Sequence, residues 1–120
     1  MKGLILVIVS LFSIGSASAD EWKKEDTIRQ AVYLTFHMID WAQTRYIVKN
    51  PDRFIETNNY LGEHPSMGKV NAYFATTALI HTGIAYVLPA DWRKAFQYIT
   101  IGVEAGVTAN NARIGVKMAF

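Results

Sequence analysis

Three apolar stretches of this chain each carry an ionisable side chain: His37 and Asp40 in the first, His81 in the second and Glu104 in the third. Charges at bilayer depth are tolerated when they face protein or water. The pattern therefore predicts an all-α, three-helix, membrane-embedded bundle with a polar seam of His37, Asp40, Gln43, Thr44, His81 and Glu104 in its interior.

The first helix is expected over about 25–48. It has no Pro or Gly, and its apolar residues fall on all sides, as in a buried or lipid-embedded helix. Asp26 is a candidate N-cap, and Pro51 marks the end because the residue before a proline is biased away from helix. Residues 49–66 form a loop with turn chemistry at Asn50-Pro51, Asn58-Asn59, Gly62 and Pro65. Its Asn58, Leu61, Gly62, Pro65 and Ser66 are candidate loop-motif residues, with Ser66 placed to cap the second helix. That helix is expected over 67–88, and its 19 residues from Val70 to Leu88 include no Asp, Glu, Lys or Arg, which matches the length of a transmembrane span. A third follows at 92–110 after the break Pro89-Ala90-Asp91, with Gly102 and Gly106 at a spacing that allows close backbone approach. The last nine residues alternate in polarity, but the chain lacks the repeated alternating strands of a barrel.

Before the bundle, Met1-Lys2-Gly3, the apolar run Leu4 to Ile14 and the small residues Ala17-Ser18-Ala19 read as a signal peptide over residues 1–19, leaving 20–120 as one helical membrane domain. The mature N-terminus would then lie in the periplasm and the bundle in the bacterial inner membrane; a soluble periplasmic bundle is the alternative. With three spans, six Lys and Arg residues fall inside against four outside, in the sense of the positive-inside rule. The formal charge of +2 forms no basic stripe, which argues against nucleic acid. There is no cysteine, so neither a disulfide nor a thiolate metal site is available.

Measured from the helix ends at about 1.5 Å per residue, Asp40 and Glu104 fall at one level with His37 just above, and His81 lies about a turn away. His37, Asp40 and Thr44 share a face, flanked by Gln43. Such groups pin helices together by hydrogen bonds, relay protons or hold a divalent metal. A bis-histidine haem would need His37 and His81 to face each other at one depth. No nucleophile signature, phosphate loop or zinc-protease motif is present. The expectation is thus a non-enzymatic envelope protein without a cofactor, whose partners are membrane lipid and a membrane protein or further copies of itself; proton, ion or metal handling by the seam is the alternative. Arg45, Lys49 and Arg53 stand at the inner boundary, where anionic lipid would be met, but they are fewer than the dense basic clusters of such recognition.

The blocks Asp40-Trp41-Ala42-Gln43-Thr44, Asn58-Asn59-Tyr60-Leu61-Gly62-Glu63-His64-Pro65-Ser66 and Val70-Asn71-Ala72-Tyr73-Phe74 resemble a family of small helical membrane proteins of proteobacteria and some of their phages. The resemblance covers roughly residues 28–110; family members often carry Pro where this chain has Asn59. It implies a helical membrane architecture and no assigned activity. It also raises a phage-encoded envelope role, in lysis or in excluding other phages.

Overall fold

With no Gly or Pro between Lys23 and Pro51, the chain forms one uninterrupted helix, α1 (Lys24–Lys49), in the computed structural model, which describes residues 20–120. The expected signal peptide, residues 1–19, lies outside the described residues. Asp26 is not the N-cap. It sits one turn inside α1, and its Oδ2 accepts from the Lys23 backbone N–H at 2.9 Å, so the carboxylate closes the helix start from within. At the other end Asn50 caps α1, its side-chain amide donating to the Tyr46 carbonyl at 2.8 Å.

The loop folds back onto the bundle. Asn58 organises it: its side-chain oxygen accepts from Tyr60 N at 2.9 Å, and its carbonyl accepts from Leu61 N at 3.0 Å. Gly62 takes φ +81°, a left-handed conformation that suits glycine. Leu61 is thereby driven inward against Val70 and Phe74, with Trp41, Val48 and Tyr73 around them. Pro65 is buried, and Ser66 Oγ accepts from Lys69 N at 3.1 Å to start α2 (Met67–Val87).

The third helix, α3 (Ala90–Arg113), begins two residues earlier than its polar break suggested. Pro89 supplies the reason: its φ of −55° is already helical, and its carbonyl accepts from Arg93 N at 2.8 Å. α3 also runs on past Asn110 and stops at Gly115, whose φ is +93°. Gly115 N donates to Ala112 O at 3.1 Å and Val116 N to Asn111 O at 2.9 Å, the paired bonds of a Schellman termination. The alternating tail forms no strand; Val116 is buried and Ala119 N donates to Ala42 O on α1 at 2.9 Å.

α1 and α3 run parallel, joined by Asp26 to Arg93 near one end and by Gln43 to Thr108 near the other. α2 runs antiparallel to both, so that Gln30 meets His81 and Trp41 meets Asn71. α1 packs against both neighbours, whereas α2 and α3 touch much less. Gly102 and Gly106 do not mediate a close approach among the described residues; a Cβ at either would meet nothing within 4 Å.

About half of the buried side chains among the described residues are apolar, but the rest invert the distribution of polarity usual in folded chains. Asp26, Gln30, His37, Gln43, Arg93 and Gln97 are buried, while Met38, Leu79 and Ile99 are 63%, 76% and 66% exposed. The expectation of transmembrane spans needs correction on one count: among the described residues no helix is long and apolar enough to cross a membrane. Freedom from charge is not apolarity, and the Val70 to Leu88 stretch still holds Asn71, Thr76, Thr77, His81 and Thr82.

Candidate functional site

The interior polar groups fall into two sets. Nearer the end where α1 begins, Arg93 is 0% exposed and all its donors are engaged. Nε donates to Ala85 O at 2.7 Å, Nη1 to Asp26 Oδ2 at 2.9 Å and Glu21 O at 3.3 Å, and Nη2 to Asp20 O at 2.9 Å and Tyr86 O at 3.2 Å. The guanidinium thus caps the closing carbonyls of α2, where a cation is favoured, and ties three helices to the chain before α1. Burial alone would raise the Asp26 carboxyl. The Lys23 N–H, Arg93 and Arg29 outweigh it and hold the group below the ordinary carboxylate value.

From there bonds run inward. Arg29 Nε donates to Gln97 Oε1 at 2.8 Å, and Gln97 Nε2 donates to Gln30 Oε1 at 3.1 Å. Gln30 Nε2 donates to His81 Nδ1 at 3.0 Å, which leaves Nε2–H of His81 to donate to Thr100 Oγ1 at 2.7 Å; that hydroxyl in turn donates to Phe96 O. His81 is also sandwiched between the Tyr33 and Phe96 rings, with centroids at 3.4 and 4.4 Å. His81 therefore belongs to this network and not to the other set.

Towards the loop lies a cavity of about 320 Å³ that brings His37, Asp40, Thr44 and Glu104 together. The Asp40 and Glu104 carboxyls adjoin across α1 and α3. Glu104 Oε2 lies 3.7 Å from His37 Nδ1, beyond hydrogen-bond reach, and has no partner although buried. His37 Nε2–H donates to Phe74 O at 3.1 Å, while Nδ1 faces the Tyr33 hydroxyl at 3.4 Å. Thr44 Oγ1 contacts Asp40 Oδ1 at 3.4 Å. Gln43 faces elsewhere, clipping α1 to α3 through Thr108 O and Asn111.

Glu56, Asn58, Tyr73 and Asn111 also line the cavity. Glu56 and Asn111 were not singled out in the sequence, because nothing local reveals that the loop brings Glu56 back over the bundle mouth. Arg93 and Gln97 were missed as well. The available signal for Arg93 was its position one turn after a helix break, where its side chain reaches the last carbonyls of α2.

Among the described residues no group of three or more His, Asp or Glu side chains is placed to hold a metal ion. Glu56 Oε1 is occupied by the backbone N–H groups of Thr57 and Asn58, both at 3.0 Å. The bis-histidine arrangement does not form either: Tyr33 stacks on both imidazoles, and each ring has both nitrogens facing protein partners. Comparison with family models, curated proteins and solved structures gives no match. The chemistry of the site rests on its own geometry.

Proposed function

We propose that the chain is a non-enzymatic helical bundle of the cell envelope that sits in lipid and works by contact with another membrane component. The observation that carries this reading is the inverted polarity. Between the charged ends, no exposed position in 28–48, 72–90 or 95–112 bears a charge, whereas Gln30, His37, Gln43, His81 and Gln97 are buried. Mean hydropathy counts inward and outward residues alike, so it understates how apolar the outer surface of such a bundle is. At about 1.5 Å per residue, helices of 26, 21 and 24 residues are also each long enough to cross a hydrocarbon layer of about 30 Å. Even the exposed Thr35 returns its hydroxyl to the Ala31 carbonyl at 2.8 Å.

The test is a topology map with single cysteines at Lys23, Glu56, Asp91 and Lys117, in a chain that has none of its own. Labelling of intact cells at 23 and 91 alone is the expected result. Labelling at all four positions means that the bundle lies outside the bilayer, and the reading fails.

A second reading is favoured by one observation, the meeting of the Asp40 and Glu104 carboxyls beside His37 in a cavity with no Lys or Arg in its lining. Two carboxyls share a hydrogen bond only when one holds a proton, and an imidazole nearby can exchange it. On this reading the seam handles protons. It requires an infrared band of a protonated carboxyl that disappears in Asp40→Asn; absence of the band from the unsubstituted protein eliminates it.

A further inference from the structure

Arg45 stands apart from every other interior cation. Its Nη1 donates to Asn71 Oδ1 at 2.7 Å, an oxygen that also accepts from Trp41 Nε1 at 2.9 Å, so its partner is a neutral amide already shared. Its Nε is buried and has no hydrogen-bond partner. No carboxylate among the described residues forms an ion pair with it; those pairs involve Arg29, Arg93 and His37. Compare Arg93, whose donors all end on oxygen. A partly buried guanidinium without an anion carries a desolvation cost that one shared amide oxygen repays only in part.

Arg45 also closes one end of an apolar groove of about 460 Å³ between α1 and the C-terminal segment. Met38, Ile39 and Trp41 line it from α1, and Met118 and Phe120 from the segment that Ala119 pins to Ala42. The volume is in the range of small-ligand sites. Arg45 lies four residues before Lys49, about 6 Å inside that end of the helix, and the cations Lys49, Arg53 and Lys69 follow at the helix end and in the loop. An apolar channel ending on a guanidinium without an anion, with further cations following it, has the complementarity of one molecule class: a hydrocarbon chain carrying an anionic head.

We propose that this groove binds an acyl chain of an anionic glycerophospholipid, whose phosphate is held by Arg45. The planar guanidinium offers Nε and the free Nη as a fork suited to two phosphate oxygens, which a lysine does not provide. The inference rests on the lipid-embedded reading and gives it a specific lipid. It places Arg45 as a headgroup ligand and Lys49 only as part of the diffuse attraction that basic residues exert on anionic leaflets.

The test is native mass spectrometry of the detergent-purified full chain, with phosphatidylglycerol or phosphatidylcholine added, following flotation of the same protein with phosphatidylcholine vesicles. Flotation tests the lipid-embedded reading alone, so its failure is distinguished from failure of the site. The expected result is retention of one phosphatidylglycerol about tenfold better than phosphatidylcholine, the effect of one charge-assisted contact. Arg45→Gln removes that preference, Arg45→Lys restores part of it, and Lys49→Gln leaves it in place. Met38→Trp, which fills the groove, lowers retention of both lipids. Equal retention of the two lipids by the unsubstituted chain overturns the proposal, as does an equal loss in Arg45→Gln and Lys49→Gln. Crosslinking from a photoreactive residue at Met38 into residues 4–14 of the chain, instead of into lipid, would also overturn it.

Discussion

The two interior polar sets differ in how completely they are satisfied. Around Arg93, each donor ends on a carbonyl or carboxylate, the glutamines are bonded at both ends, and His81 has a defined tautomer. Around Asp40, two carboxyls face each other, Glu104 keeps a buried oxygen without a partner, and a cavity of about 320 Å³ remains. Fully paired buried polar groups rigidify and specify a fold, whereas partly paired ones are left in place at a cost. The first set is therefore the structural lock of the bundle. The second is where the molecule retains unused chemical capacity.

That contrast is most exposed to refutation at Arg93. Arg93→Met leaves the Asp26 carboxylate buried without its cation and frees the closing carbonyls of α2, with an expected loss of about 3–5 kcal/mol. Thermal unfolding of the purified protein in mild detergent, followed by circular dichroism, measures it. A loss below 1 kcal/mol (the ~0.5–1.5 of an ordinary hydrogen bond) would mean that the set is no lock.

Next in size is His81→Phe, which keeps the stacking on Tyr33 and Phe96 but removes the acceptor of one Gln30 Nε2–H, the other still reaching Thr82 Oγ1, and the donor to Thr100 Oγ1. The cost of about 1–3 kcal/mol is that of leaving buried polar groups unmade. The loop offers a local control of similar scale, Gly62→Ala, where φ of +81° costs an L residue about 1–2 kcal/mol. It should loosen Leu61, which lines the cavity, without touching the set around Arg93.

The smallest effect is expected where the comparison is sharpest. Glu104→Gln removes a charge whose buried oxygen has no partner and supplies an amide that can donate to Asp40, so stability should change by less than about 1 kcal/mol. A loss as large as that of Arg93→Met would make the cavity a structural element like the other set.

The pH dependence separates the sets further. Asp26 lies in the first turn of α1, outside the apolar belt, and its carboxyl is held below its ordinary value of 3.8. Its stabilisation is therefore fully present above that ordinary value and is lost as pH falls through the depressed folded value. An unfolding series from pH 6 down to about 3 should show a fall confined to the acid end, and Asp26→Asn should remove that fall while lowering stability at every higher pH. A decline that survives in Asp26→Asn would assign the acid sensitivity to another group.

Much of the scaffold was legible in local sequence. Helix number follows from the apolar runs and the Pro and Gly breaks between them, and Ser66 and Gly62 act through backbone chemistry that depends on immediate neighbours. Depth counted along the helices placed Asp40 and Glu104 at one level, and their carboxyls adjoin. His81 was grouped with them in the seam although the same count placed it about a turn away. It instead bonds Gln30 and Thr100, because it lies about two turns beyond Phe74 on α2, whose carbonyl marks the level of His37. Arg93 was not singled out: its place one turn after a helix break was a signal, but the burial of its guanidinium beneath α2 follows from the packing of three helices.

The sequence by itself determined the order of the helices, the Ser66 cap of α2, and the presence of polar side chains that must face inward if the outer surface is to remain apolar. Only the tertiary structure decided which of those groups found partners. Rise and turn are properties of one helix, but pairing depends on the rotation and crossing of several: these gave Arg93 five acceptors and left Arg45 and Glu104 each with a buried atom unmatched.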